Sequence, residues 1–145
     1  MDVLLIDDDT IGVFLTERLL KREGFTDSIA SIPSAEEALA FLQNAEPHQL
    51  PHVIFLDLNM PLMDGWEFLE ALRPLENRLL GRCHIYILTS SLAHTDLARI
   101  EQFPLVDGLI NKPLDAAQIQ AVRAQVEAAL SAGQEVPASP ADQRP

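Results

Sequence analysis

The chain has 145 residues and a formal net charge of -12, with ten Lys and Arg against 22 Asp and Glu. This length suffices for one domain with a buried core, and the acidic balance excludes nucleic acids and anionic membranes as favoured partners, because both attract Lys and Arg. The single cysteine, Cys83, excludes an internal disulfide, and we expect a cytoplasmic protein because no apolar run reaches the length of a membrane span and no signal peptide is apparent.

Five short apolar patterns predict β-strands. They lie at 3–6, 28–32, 53–56, 85–88 and 106–110, and the first, third and fourth are continuous apolar runs. Such runs are typical of strands that are covered by helices on both faces. Helical patterns separate the strands, and this strict alternation predicts an α/β protein with a parallel sheet between two helix layers.

A helical pattern follows each of these strands. The first carries an apolar stripe that we expect to face the core, and it ends near Gly24. The second begins at a capping box formed by Ser34 and Glu37, and Asp64 and Asp115 are the expected N-caps of the third and fifth helices. The stripe of the first helix consists of Ile11, Phe14, Leu15 and Leu19.

The later helices are expected to end at proline or glycine. Pro74 ends the third helix, Pro104 follows the short fourth helix, and Gly133 ends the fifth. We therefore predict one domain over residues 1–132 and a disordered tail over 133–145, where proline is frequent and apolar side chains are few. The apolar stripes of the third and fourth helices are Trp66, Phe68, Leu69 and Leu72, and Leu97, Ile100 and Phe103.

Polar side chains follow the predicted strands at the ends where a parallel sheet binds its ligands. Asp7 and Asp8 follow the first strand, and Asp57 follows the third. Thr89 follows the fourth strand and Lys112 the fifth. Because these strand ends share one edge of the sheet, we expect the five side chains to converge.

This set of groups favours a site for a phosphoryl group. Neighbouring carboxylates repel each other unless a cation offsets their charge, and oxygen ligands without His or Cys indicate Mg²⁺. The Lys112 ammonium and the Thr89 hydroxyl would support phosphoryl oxygens, so Asp57 is the predicted nucleophile or acceptor. Asp9 is set apart, since either Asp9 or Thr10 suits the N-cap of the first helix.

Four segments carrying these residues resemble the receiver domain of bacterial two-component response regulators. The resemblance covers about residues 1–131 and extends to the stand-alone, single-domain, chemotaxis-regulator-like members. It implies a flavodoxin-like (βα)5 three-layer sandwich with strand order 2-1-3-4-5, and no enzymatic activity beyond self-phosphotransfer and self-dephosphorylation. The segments are Leu5-Ile6-Asp7-Asp8-Asp9, Leu56-Asp57-Leu58-Asn59-Met60-Pro61-Leu62-Met63-Asp64-Gly65, Leu88-Thr89-Ser90-Ser91 and Asn111-Lys112-Pro113.

The resemblance also implies roles for the acidic residues. Asp57 would accept a phosphoryl group from a phosphohistidine on a sensor histidine kinase or a phosphotransfer protein. Asp8, Asp57 and the backbone carbonyl of Asn59 would bind Mg²⁺, and Asp7 would reach the metal through water.

The remaining roles concern the response to phosphorylation. Lys112 would pair with the phosphoryl oxygens, aimed by a cis peptide to Pro113, and Thr89 would hydrogen-bond to the phosphoryl group. Leu109 departs from the family, which usually has Tyr or Phe three residues before the lysine, so the usual aromatic rotation is not assumed. The further tuning positions are Asn59, Ser90 and Ser91.

The expected output is protein–protein contact. The resemblance implies that the face formed by the fourth helix, the fifth strand and the fifth helix binds an unidentified downstream target. A relay to a phosphotransfer histidine, a phosphate sink and homodimerisation through the same face stay open.

Three other functions fit parts of the sequence. An Asp-nucleophile phosphatase of the haloacid-dehalogenase type needs a second Asp where Asn59 stands, and Asn cannot act as a general acid. A flavodoxin-like cofactor binder needs a phosphate loop after the first strand, where three carboxylates would repel phosphate. A receiver-like module that binds its partner without phosphorylation is the leading alternative, because Leu109 is unusual.

Overall fold

A five-stranded parallel sheet forms the centre of the fold. The computed structural model describes residues 1–25, 28–90 and 94–135. The strands are β1 (Asp2–Ile6), β2 (Ser28–Ile32), β3 (Val53–Asp57), β4 (His84–Thr89) and β5 (Val106–Asn111). They lie in the order β2-β1-β3-β4-β5, all parallel, so the predicted fold class and strand order are confirmed.

Helices cover both faces of this sheet. They are α1 (Thr10–Arg22), α2 (Ala35–Asn44), α3 (Gly65–Ala71), α4 (His94–Ile100) and α5 (Ala116–Glu135). Apolar side chains of α2, α3 and α4 pack on one face of the sheet, and those of α1 and α5 pack on the other. Within the described ranges, no helix is both long enough and apolar enough to cross a membrane.

Successive residues of the central strands point into opposite cores. Leu4 and Ile6 of β1 lie in the core shared with α2 and α3, whereas Val3 and Leu5 lie in the core shared with α1 and α5. All the residues of β3 are buried. Burial on both faces is the reason that these strands are continuous apolar runs rather than alternating ones.

Side-chain caps begin four helices at predicted positions. Asp9, rather than Thr10, caps α1. Ser34 caps α2, but the predicted reciprocal box with Glu37 is wrong, because the Glu37 carboxylate accepts its hydrogen bond from the Ser34 hydroxyl instead. Asp64 caps α3 in a reciprocal capping box, and the Asp115 carboxylate accepts a hydrogen bond from a backbone N–H in the first turn of α5. Each cap satisfies backbone donors at a helix start and thereby fixes where the helix leaves the preceding strand end.

The predicted inward stripe of α1 was wrong for three of its four residues. Ile11, Phe14 and Leu15 are 71%, 56% and 60% exposed, respectively. The fourth predicted residue, Leu19, does pack on the core, beside the fully buried Leu20 and the partly buried Val13. Both sets have helical spacing, so periodicity alone could not decide which stripe the sheet covers.

The predicted end of α5 at Gly133 was also wrong, because the helix continues through this residue to Glu135. A glycine ends a helix when it adopts the left-handed conformation, and inside a helix it costs only about 1 kcal/mol relative to alanine. The rest of the predicted tail, residues 136–145, lies outside the described residues.

The third helix, α3, ends at Ala71, ahead of Pro74 as predicted, but two short helical turns follow it. A 3-10 turn (Arg73–Leu75) with the proline in its first turn leads into one α-helical turn (Glu76–Leu79). A proline at the start of a helical turn keeps the backbone helical, since its missing N–H would have no partner there.

The stripe predicted for α4 is only partly buried, because Leu97 is 44% exposed while Phe103, beyond the helix end, is buried.

The additional helical turn carries an arginine that closes the end of α2. The Arg78 guanidinium donates hydrogen bonds to the carbonyl oxygens of Leu42 at 3.2 Å and Gln43 at 3.3 Å, and also to that of Ala45. These are carbonyls at the C-terminus of α2 that lack partners within the helix. A cation at this end also suits the helix dipole.

We expect Arg78→Ala to lower the free energy of unfolding by about 1.5–3 kcal/mol, the range for lost hydrogen bonds to a charged group. Urea unfolding at neutral pH measures the change. Arg82→Ala removes the same charge from an exposed neighbouring position and should stay within about 0.5 kcal/mol of the wild type. Equal effects of the two substitutions would show that the capping contacts contribute nothing.

Candidate functional site

The carboxyl ends of four strands bring the predicted residues to one edge of the sheet. Asp57 is the last residue of β3 and Thr89 the last of β4. Asp7 directly follows β1, and Lys112 directly follows β5. Because β3 lies between β1 and β4, Asp57 occupies the middle of this group.

One lysine contacts two carboxylates at this edge. The Lys112 Nζ lies 3.4 Å from Asp57 Oδ1 and 3.5 Å from Asp7 Oδ2. Ligand oxygens of Asp7, Asp8 and Asp57 all lie within 4.8 Å of one another. Asp57 is 4% exposed, whereas Asp8 is exposed, so the cluster opens to solvent on the side of Asp8. The predicted convergence is therefore present in the geometry.

Backbone amides orient the two buried carboxylates. Asp7 Oδ1 accepts a hydrogen bond from the Asp9 N–H at 2.9 Å, and Asp57 Oδ1 accepts one from the Asn59 N–H at 3.2 Å. A carboxylate that accepts the N–H two residues ahead forms a compact turn. Each turn holds its carboxylate at the strand end rather than letting it rotate into solvent.

The lysine is held by the backbone at the end of β5. The Lys112 N–H donates to the Thr89 carbonyl at 2.8 Å, which extends the pairing of β4 and β5 beyond their last residues. The peptide between Lys112 and Pro113 is cis, as the resemblance implied. The side chains of Asp57 and Thr89 are buried on the two neighbouring strand ends.

The electrostatics of the site raise the pKa of the Asp57 carboxyl above its ordinary value. Burial is the largest cause, and the nearby Asp7 carboxylate raises the pKa further. The hydrogen bond from Asn59 and the charge of Lys112 act in the opposite direction. Ionisation of Asp57 in the folded protein therefore costs free energy, and the charge of Lys112 offsets only part of that cost.

The donor set fits a divalent cation such as Mg²⁺. Asp7, Asp8 and Asp57 offer three carboxylates with oxygen atoms at mutual distances suited to one ion, and Mg²⁺ prefers oxygen ligands while keeping several waters. The buried Cys83 precedes β4, at the opposite end of the sheet. Its thiol has a pKa raised to about 12 by burial, so it offers no thiolate ligand.

An apolar rim beside the carboxylates was missed from the sequence. The exposed Leu15 of α1 lines a cavity of about 360 Å³ that also contacts Asp7 and Lys112. Ile11 and Phe14 are exposed on the same helix, and the three side chains together form this apolar rim. Leu62, in the segment that follows Asp57, is 88% exposed and has a φ of 70°. The available signal was the excess of apolar residues on α1, which forms two stripes where a sheet covers only one.

Three of the other predicted positions, Leu109, Ser90 and Pro113, lie within the described residues. Leu109 is partly buried and packs on the core shared with α2 and α3. Ser90 is exposed, and Ser91 lies outside the described residues. Pro113 lines the cavity beside α1.

Comparisons with known proteins point to one family. The family model of the response regulator receiver domain matches residues 3–123. Among curated proteins, the chain is similar to the probable methanogenesis regulatory protein FilR2 of Methanothrix harundinacea, with 32% identity over 99 residues. It is also similar to the response regulator Rcp1 of Synechocystis sp., with 30% identity over 98 residues. These matches cover 67% and 66% of this chain but only 63% and 65% of the relatives, which is under two thirds of their length.

A solved structure shows the same fold. The two component response regulator from Cytophaga hutchinsonii superposes with a TM-score of 0.75 at 31% identity. The superposition covers 86% of this chain and 95% of that chain.

We expect Asp57→Asn to stabilise the metal-free protein at neutral pH. Because the folded-state pKa of Asp57 is raised, the ionised carboxylate destabilises the fold. This penalty is absent below the ordinary carboxyl pKa and complete only when the pH exceeds the raised value. The substitution should therefore raise the Tm at neutral pH, by about 2–4 °C for each kcal/mol of stability gained.

Thermal unfolding with a chelator, followed from acid to neutral pH, measures this gain. The difference from the wild type should shrink as the pH falls. Glu101→Gln removes one charge from an exposed position and controls for the loss of net negative charge. If Asp57→Asn is no more stable than the control at neutral pH, the ionised Asp57 carboxylate does not destabilise the fold and the prediction is wrong.

Proposed function

The chain belongs to the response regulator receiver domain family, and we propose that it accepts a phosphoryl group on Asp57 from a phosphohistidine. The observation that carries this proposal is the position of Lys112, whose Nζ lies within 3.5 Å of both Asp7 and Asp57. A buried carboxylate beside an ammonium group and two further acids suits phosphoryl transfer, which depends on positioning and charge stabilisation.

The transfer needs no redox partner. An ionised oxygen of Asp57 attacks phosphorus, the new O–P bond forms as the P–N bond to the donor histidine breaks, and the electron pair stays on the imidazole nitrogen. The Lys112 ammonium pairs with phosphoryl oxygens, and the Thr89 hydroxyl donates to one of them. Bound Mg²⁺, on Asp8, Asp57, the Asn59 carbonyl and water on Asp7, would supply the positive charge that the crowded oxygens require.

Phosphorylation then changes the charge at the sheet edge. The phosphoryl group adds about -1.5 to -2 charges beside Lys112. A conformation in which Thr89 bonds the phosphoryl group gains an interaction that the resting conformation lacks, and this difference shifts the population. We propose that the surface formed by α4, β5 and α5 carries the change to a protein target, and we retain the cytoplasm as the proposed location.

The apolar rim of α1 is the proposed docking surface for the phosphodonor. Ile11, Phe14 and Leu15 lie on the helix whose cap, Asp9, is bonded to Asp7 of the site. A protein that presents a phosphohistidine must bring its own surface within reach of Asp57. Exposed apolar side chains next to the acceptor would give that protein a contact whose burial stabilises the complex.

A receiver-like module that works without phosphorylation is the second candidate. The observation that favours it is Leu109, which stands where an aromatic side chain is usual in this family. Labelling of the acceptor distinguishes the two candidates, because only the first requires a covalent phosphoryl group.

We expect acetyl phosphate with Mg²⁺ to add one phosphoryl group to the wild type and none to Asp57→Asn. Intact mass spectrometry measures the addition, and a chelator should abolish it because the carboxylates would then lack their counter-ion. Asp64→Asn is the matched control, since Asn also caps a helix start and α3 should keep its form. Undiminished labelling of Asp57→Asn, or an unlabelled wild type, would overturn the proposal.

We expect Phe14→Ser to reduce phosphotransfer from a histidine kinase about tenfold, the effect of losing one well-buried contact residue. Labelling by acetyl phosphate should not change, because this small donor needs no docking surface. Radiolabelled transfer from autophosphorylated kinases that phosphorylate the wild type gives the measurement. Phe41→Ser, on the exposed side of α2, is the control, and equal transfer rates for both variants would exclude α1 as the donor surface.

A further inference from the structure

An arginine on α4 stacks on the only tryptophan of the chain. The guanidinium carbon of Arg99 lies 4.5 Å from the centroid of the Trp66 ring, near the start of α3. Arg99 also lies close enough to Glu70 of α3 to help lower the pKa of that carboxyl, although the adjacent Arg73 is the main cause. On α4, Ile100 packs on the core whereas Leu97 is exposed. Among the described side chains of this short helix, Arg99 and Ile100 are therefore two that contact the rest of the fold.

The contact belongs to a larger stacked array of Arg99, Trp66, Phe103 and Arg73. The rings of Trp66 and Phe103 lie 6.0 Å apart, and Arg73 lies 4.6 Å above Phe103. Arg73 also donates to the Gln102 carbonyl at 3.2 Å. The two rings of this array are buried, whereas the arginines at its two ends are exposed. Arg73 holds the chain after α4 through its contacts with Phe103 and the Gln102 carbonyl.

Trp66 lies at a helix start that is packed close to the acceptor. Gly65, which precedes Trp66, donates its N–H to the Leu58 carbonyl at 3.1 Å. A Cβ at Gly65 would lie 2.9 Å from Leu58 Cα and 3.1 Å from the Asp57 carbonyl oxygen. The start of α3 is therefore packed against the backbone of the acceptor segment, and α4 begins five residues after Thr89. The contact of Arg99 with Trp66 joins the two segments that leave the site.

We propose that the Arg99–Trp66 contact is a latch that holds α4 on α3 in the unphosphorylated protein and opens when Asp57 is phosphorylated. The first half stands on the contact alone, and the second half rests on the proposed function. In this chain Leu109 stands at the usual aromatic position. The latch would provide a different structural connection from the acceptor to α4. An exposed cation–π contact changes an equilibrium only about two- to fivefold, which sets the size of the effects expected when it is removed.

Hydrogen exchange tests the first half without any phosphodonor. Arg99→Ala should exchange the backbone amides of α4 about two- to fivefold faster than the wild type, and Arg99→Lys should fall between them because its ammonium lacks a planar face. Acrylamide should also quench the fluorescence of the single tryptophan more strongly in Arg99→Ala than in the wild type. Arg22→Ala removes the same charge from an exposed turn of α1. Arg99→Ala values equal to those of this control would overturn the latch.

Beryllofluoride with Mg²⁺ tests the second half. Binding that opens the latch must be favoured by a substitution that weakens it, so Arg99→Ala should bind beryllofluoride two- to fivefold more tightly than the wild type and Arg22→Ala. Faster exchange with unchanged affinity would overturn the coupling to Asp57. If neither protein binds beryllofluoride, the proposed function and the coupling both fail, while the exchange rates still decide whether the contact holds α4.

Discussion

Two buried carboxylates share one ammonium group at the carboxyl edge of the sheet, and the rest of the structure is arranged around that constraint. Asp7 directly follows β1 and Asp57 ends the neighbouring parallel strand β3, so the strand pairing itself brings like charges together. Lys112 offsets part of the repulsion, yet burial and Asp7 still raise the pKa of Asp57. Binding of a cation, or modification of the free Asp57 carboxylate, therefore reduces the repulsion between the carboxylates. Without such a change, the packing of the two apolar cores keeps these like charges close together.

The sequence predicts which residues gather at this edge of the sheet, because each of them is located by the strand that it ends or follows. A four-residue apolar run has two ends, and whichever residue follows it must lie at the carboxyl edge of a parallel sheet. Asp57 and Thr89 could be placed in this way without knowing any contact between strands. The caps Ser34 and Asp64 could be predicted in the same way, since a helix cap lies directly before the first turn that it serves.

The surfaces could not be predicted in the same way, because they depend on how helices are rotated against the sheet. On α1 the apolar residues fit two stripes, and only the packing of Leu20 leaves Phe14 outside. The contact of Arg99 with Trp66 joins residues far apart in sequence, and neither residue carries a motif. In both cases the decisive quantity is an orientation in space, for which a single sequence has no periodic signal.

The sheet separates the surface proposed for the donor from the helix proposed to respond. Leu20 of α1 belongs to one core, and Ile100 of α4 packs on the core of the opposite face. Asp57 stands at the edge between them, close to both faces because β3 is central in the sheet. A donor seated on α1 would therefore leave α4 free to move while the phosphoryl group is transferred. Since the Arg99–Trp66 contact lies wholly on the α4 side, its release would not disturb the donor surface, and the two events could be tuned by separate substitutions.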